Sequence, residues 1–114
     1  MEQKTLTTQE LLAIAVDALE DVKAKDIQVI ETSSSTALFD AIVVATGDSN
    51  RQTRALARSV HDKVKESGGD VLSIEGEETG EWLLVDLDDV VVHIMLPTVR
   101  AYYNLEDLWS VRPA

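Results

Sequence analysis

The sequence predicts a single α/β domain, with a mixed sheet of about five strands and helices on both faces. Three observations carry this. Residues 82–96 hold two apolar runs, Trp82 to Val85 and Val90 to Leu96, around a short acidic break, Asp86-Leu-Asp-Asp89. Two segments, about 8–24 and 49–67, repeat apolar residues at helical spacing. The runs between them are shorter, rich in Val and Ile, and bounded by turn residues.

The pair of runs at 82–96 reads as a β-hairpin in the middle of the sheet. Val, Ile and Trp suit a packed, pleated surface. Aspartate favours turns because its carboxylate accepts from nearby backbone N–H groups. In the second strand Val91, His93 and Met95 face one way, and Val92, Ile94 and Leu96 the other. His93 is the one polar residue of that run, so both faces are expected to be covered.

The remaining elements follow in order. Thr7-Thr-Gln-Glu10 matches a capping box. Leu12, Val16, Leu19 and Val22 then form a stripe with Ala15 and Ala18, and Glu10, Asp17, Glu20 and Asp21 lie opposite. Asp26–Glu31 alternates as a strand, with Ile27 and Val29 on one side. Residues 32–36 are a hydroxyl-rich turn, and residues 37–46 a second strand with a buried run at 42–45 and Asp40 at its wet end. Gly47 ends that strand. Ser49-Asn-Arg-Gln52 is a second capping box, opening a helix to about Ser67 whose Leu56, Val60 and Val64 point inward. Arg51, Arg54 and Arg58 lie opposite, with Lys65 nearby, and read as a solvated face. Gly68-Gly69 stops the helix. Val71–Ile74 is a third strand and Glu75–Glu81 a loop. Pro97 ends the hairpin, and short helical segments near 98–103 and 105–109 close the chain.

Composition narrows the function. At 114 residues, 45% of them apolar, the chain is one domain with a real core. It has no cysteine, hence neither disulfides nor thiolate metal sites. There is no stretch of membrane-spanning length and no signal pattern, so a cytoplasmic location is expected. The net charge of −11 opposes strong contact with nucleic acid and suits a basic partner. From Glu66 to Val99 there are nine acids and no Lys or Arg. That acidic stretch beside Trp82, with Tyr102, Tyr103 and Trp109 following, makes a reasonable docking surface for a basic protein. The alternative is that both tryptophans lie in or against the core.

Catalytic readings are weaker. Asp86 and Asp88 have the spacing to share a magnesium ion, as in nucleotidyl transfer. Gly47-Asp-Ser opens a helix where free amides can cradle phosphate, although Asp48 would repel it. His93 and Asp86 are a conceivable acid–base pair, but no nucleophile accompanies them, and a lone His in an apolar strand reads as a hydrogen-bonded core residue. His61 and His93 are the only histidines. No cofactor, no metal and no enzymatic activity are therefore expected. A further reading is a homodimer in which the arginine stripe of one copy meets the acidic half of another.

Several ordered motifs together resemble one family. They are Asp40-Ala-Ile-Val-Val-Ala-Thr-Gly-Asp-Ser-Asn-Arg-Gln52, Glu75-Gly, Gly80-Glu-Trp-Leu-Leu-Val-Asp86, Asp89-Val-Val-Val-His93 and Arg100-Ala-Tyr-Tyr-Asn-Leu-Glu-Asp-Leu-Trp109. This set is similar to the ribosomal silencing factors, bacterial relatives of plant Iojap, and covers nearly the whole chain. One departure is Asp88, where that family often has Gly. The resemblance implies a nucleotidyltransferase-like fold without the catalytic set. It also implies a translation repressor that docks on the fourteenth protein of the large ribosomal subunit and blocks joining of the small subunit under starvation. On that reading Trp82 is an apolar anchor, Asp86, Asp89 and Glu77 complement lysine or arginine, and His93 and Tyr103 support them. Asp40 is expected to cap or to pair near Arg51.

Overall fold

The computed structural model describes residues 6–31 and 40–103. Their elements run α1 (Thr8–Asp21), β1 (Lys25–Glu31), β2 (Ala41–Thr46), α2 (Asn50–Glu66), β3 (Ser73–Glu75), β4 (Trp82–Asp86), β5 (Val90–Met95) and α3 (Pro97–Tyr103). The five strands form one mixed sheet in the order β1-β2-β5-β4-β3. β2 and β5 are parallel, and the other neighbours are antiparallel. β5 is thus the central strand and the hairpin is the middle of the sheet.

Both long helices start as their caps dictate, with one difference. The Thr7 hydroxyl accepts from the Glu10 N–H, and the Glu10 carboxylate accepts from the Thr7 N–H at 2.8 Å. At α2 the Ser49 hydroxyl accepts from the Gln52 N–H, but Gln52 does not return the bond to Ser49. Its Oε1 accepts from the Asp48 N–H at 2.7 Å, and its Nε2 donates to the Val22 and Lys23 carbonyls. The second capping box is therefore half a box, because the glutamine ties α2 to the end of α1. α1 ends at Asp21 rather than near 24, since Lys23 adopts a left-handed φ of 63°.

α1 and α2 pack on one sheet face. Leu56, Val60 and Val64 are fully buried against Leu11, Ala15, Leu19, Leu83, Val85 and Ile94. Lys63 bridges the helices through Asp17 and Asp21. The other face carries Ile30, Ile42, Val44 and Met95, with Trp82 and Val99 packed against them. Val99 belongs to the short α3, so helices do lie on both faces. Pro97 begins α3 instead of merely ending the hairpin, as suits a residue with fixed φ and no N–H to satisfy. Arg100 pins α3 by donating to the Thr46 hydroxyl at 2.8 Å and to the Asp26 carbonyl.

Two strand boundaries differ from expectation. β2 starts at Ala41, with Asp40 in a bend before it, and residues 37–39 of the expected strand lie outside the described residues. β3 lies at 73–75 rather than 71–74, because pairing of Ile74 with Val85 places Ile74 on the core face, and Leu72 is left 60% exposed. The expected turn at 32–36 and the segment 105–109 with Trp109 lie outside the described residues. No described helix is long and apolar enough to cross a membrane.

Candidate docking site

Strand alternation builds the site. β4 pairs with β5 in the register Trp82 to Met95, Leu84 to His93 and Asp86 to Val91. Leu83 and Val85 therefore point into the helix-covered core, while Trp82, Leu84 and Asp86 project from the opposite face, each half-buried. Glu75, Gly76, Trp82 and Leu84 line a shallow, open hollow of about 280 Å³.

Trp82 is fixed by His93. The indole Nε1–H donates to His93 Nδ1 at 2.9 Å, and the rings stand 5.9 Å apart, tilted by 50°. An accepting Nδ1 bears no proton, so the imidazole is neutral with its hydrogen on Nε2. Burial enforces this, lowering the His93 pKa from its ordinary value to about 4. His93 thus orients the Trp82 indole on this face.

That pair makes a testable pH dependence. The unfolded chain takes up a proton on His93 near pH 6.5, the folded chain only near pH 4. The unfolded state binds more protons in that interval, so stability falls as pH drops through it. At pH 4.5 the loss relative to pH 7 should be on the order of 2–3 kcal/mol. In His93→Gln, whose amide oxygen can still accept from Trp82, that component should vanish. Identical urea midpoint shifts for wild type and variant between pH 7 and 4.5 would rule it out.

Acidic groups gather at the other end of β4, about 13 Å away at roughly 3.3 Å per residue. Asp86 Oδ1 accepts from the Asp88 N–H at 2.9 Å, which closes the hairpin turn. Asp88 has a φ of 79°, at the first position of a two-residue turn where glycine fits best. Asp89 is exposed beside Asp40, whose N–H donates to the Asp89 carbonyl at 2.7 Å. Partial burial, then the neighbouring Asp40 and Asp88 charges, raise the Asp89 carboxyl pKa above its ordinary value. Asp40 does not pair with Arg51; its Oδ2 accepts from the Thr8 hydroxyl at 2.9 Å, because the start of β2 abuts the start of α1.

The expected residues are therefore only partly assembled. Trp82, His93 and Asp86 share one sheet face, and Asp89 joins Asp86 at the hairpin. Glu77 stands apart, in the loop between β3 and β4, with its carboxylate 3.7 Å from Arg58. The Tyr103 side chain lies outside the described part, while Tyr102 is 80% exposed on α3. Leu84 and Glu75 belong to the face and were missed, although Leu84 follows from the period of two between Trp82 and Asp86.

The arginine stripe is not simply solvated. Arg54 Nε donates to the Glu77 carbonyl at 2.7 Å and Nη2 to the Glu78 carbonyl at 2.9 Å. Asn50 Nδ2 donates to the Thr79 carbonyl. The buried Thr53 hydroxyl lies 2.6 Å from the Gly80 carbonyl and 2.8 Å from that of Asn50, with one proton to share. The side chains opening α2 thus hold the acidic loop of their own chain.

Groups named in the catalytic readings have partners within the fold. Asp86 is engaged in the turn, and His93 gives its Nδ1 to Trp82. Among the described residues no three His, Asp or Glu side chains converge on a common point for a metal ion. At Gly47-Asp-Ser, the Asp48 and Gln52 amides are taken by side chains of the same segment, and the Asp48 carboxylate pairs with Lys25 at 2.9 Å. Gly47 is there for packing, since a Cβ would sit 2.9 Å from Thr53 Cγ2.

The chain is similar to known proteins along nearly its whole length. Residues 5–114 match the family described as "Ribosomal silencing factor during starvation". The chain is 58% identical over 102 residues to ribosomal silencing factor RsfS of Chromobacterium violaceum, spanning 90% of this chain and 84% of that protein. A crystal structure of a Chromobacterium violaceum protein, 55% identical, superposes with a TM-score of 0.90 over 96% of this chain and 92% of that one. Mitochondrial assembly of ribosomal large subunit protein 1 of Mus musculus is 33% identical over 100 residues, which span 85% of this chain and 44% of that protein. A family match over nearly the whole chain and a relative at 58% identity place the chain in one family, and it belongs to the ribosomal silencing factors.

Proposed function

We propose that this chain represses translation by docking on the large ribosomal subunit and sterically preventing the small subunit from joining. The observation that carries the reading is the half-open sheet face itself. It presents Trp82 and Leu84 between Glu75 at one side and Asp86 at the other, within a stretch that has nine acids and no Lys or Arg. A half-buried indole offers large contact area at small ordering cost, and the flanking acids favour encounter with a basic surface. Proteins embedded in ribosomal RNA are commonly basic, and the fourteenth protein of the large subunit is the partner we assign. The net charge of −11 speaks against RNA as the principal contact. The large-subunit assembly role in the name of the mouse relative supports the same side of the ribosome. Exclusion requires bulk and position only, and no bond is made or broken.

Sedimentation of the chain with purified large subunits tests the docking step. Binding is expected with large and not with small subunits. Reversing both hairpin charges, Asp86→Lys with Asp89→Lys, should slow association roughly tenfold at low salt and flatten its salt dependence. Asp86 also closes the turn, so Asp86→Asn, which keeps an acceptor there, separates charge from folding. An unchanged association rate and salt slope in both variants would remove the hairpin acids from the site.

A further inference from the structure

Four consecutive carbonyls, those of Glu77, Glu78, Thr79 and Gly80, face the first turns of α2 and receive its side-chain donors. Such an arrangement is not what charge alone would produce. Arg54 sits beside a loop with Glu77, Glu78 and Glu81, which follows Glu75 of β3, yet its guanidinium donates to backbone oxygens through two of its nitrogens. The exposed loop carboxylates of Glu78 and Glu81 form no ion pair among the described residues. The loop then closes on itself through the Gly80 N–H to the Gly76 carbonyl at 3.0 Å. Gly76 and Glu75 form one wall of the hollow beside Trp82. The conformation of this loop therefore shapes the docking face.

We infer that Asn50, Thr53 and Arg54 are positioning residues for docking: they hold the acidic loop in its bound shape before the partner arrives, so the positive Arg54 strengthens attachment to a basic surface. This rests on the docking reading above. Three acids in one short loop, with Glu75 at the end of β3, repel each other, and an unclamped loop would have to be ordered at the moment of binding. The planar guanidinium spans two successive carbonyls in a way that an ammonium does not.

The inference reverses the sign expected from charge. Arg54→Gln takes the net charge from −11 to −12, which simple attraction to a basic partner converts into tighter binding. Positioning predicts the opposite: roughly five- to tenfold weaker binding to purified large subunits, mainly through faster dissociation. Arg54→Lys keeps the charge but loses the fork, and should weaken binding in the same direction. Amide hydrogen exchange on the free chain supplies a readout without any partner. The Gly80 amide should exchange roughly tenfold faster in both variants, with amides of β5 unchanged. Arg54 is exposed, and unchanged β5 exchange also shows that each variant is folded.

Equal or tighter binding by Arg54→Gln overturns the inference. So does unaltered Gly80 exchange in Arg54→Lys, or faster exchange with wild-type affinity. Failure of the wild-type chain to bind large subunits overturns the docking reading itself and the inference with it. That outcome is distinct from a wild type that binds and variants that bind equally well.

Discussion

Trp82→Ala should weaken binding to the large subunit about tenfold to a hundredfold, equivalent to about 1–3 kcal/mol. The indole is half-buried, packs beside Met95 and Val99, and forms a wall of the open hollow. Truncation removes that contact area and leaves His93 Nδ1 without its donor. Some loss of stability accompanies it, so a second variant separates the effects. Trp82→Phe keeps an aromatic ring against the hollow and gives up the N–H with part of the ring area. It should retain most of the affinity while the orphaned His93 nitrogen lowers the urea midpoint. Titration of labelled protein onto purified large subunits measures the first quantity and urea unfolding the second. If Trp82→Ala binds like wild type and remains folded, the indole is not an anchor, and docking must use another face.

Gly76→Ala should be among the most damaging single substitutions in the chain, costing on the order of 3–4 kcal/mol of stability. Its φ is 91°, and an added Cβ would stand 2.1 Å from the Trp82 carbonyl oxygen. The clash is with backbone, so no side chain can swing away to relieve it. Gly68 provides the control. Its φ is 90°, but a Cβ there meets nothing within 4 Å, so Gly68→Ala should cost only the backbone strain, about 1–2 kcal/mol. The difference between the two urea midpoints isolates the collision with β4. Equal midpoints would mean that the loop crosses β4 less closely than the geometry requires. Because Gly76 also lines the hollow, its variant should lose affinity as well as stability, whereas Gly68→Ala should lose stability alone.

The parts of the fold legible in the sequence were those governed by periodic burial. Leu56, Val60 and Val64 recur every fourth residue and are all buried, and the apolar Val90–Met95 run became the central strand. Boundaries failed where one backbone angle or one pairing decided the matter. Lys23 turned left-handed with no glycine to announce it, and β3 took its limits from its ladder with Val85. The shared face of Trp82, Asp86 and His93 was legible because the first two have the same strand parity and the third is the one polar residue in an apolar run. That Glu77 lies beside Arg58, apart from this face, was not legible, because a loop has no period to fix which way its side chains point. The clamp of Asn50, Thr53 and Arg54 joins residues more than twenty positions apart in sequence. Nothing in the helical wheel distinguishes an arginine that holds carbonyls from one that faces water. The half-formed second capping box has the same cause, since Gln52 found partners at the end of α1 that local spacing does not reveal.

Steric exclusion is tested most directly by mixing purified large and small ribosomal subunits at a magnesium concentration that favours joining, with the chain in molar excess over the large subunits. Light scattering or sucrose-gradient profiles then read the joined fraction. Prior addition of the chain to large subunits should leave most subunits separate, and the Trp82→Ala variant should restore joining. Normal joining by large subunits that demonstrably carry the wild-type chain would contradict the account, since a bound protein that leaves the subunit interface open cannot repress translation by occupying it.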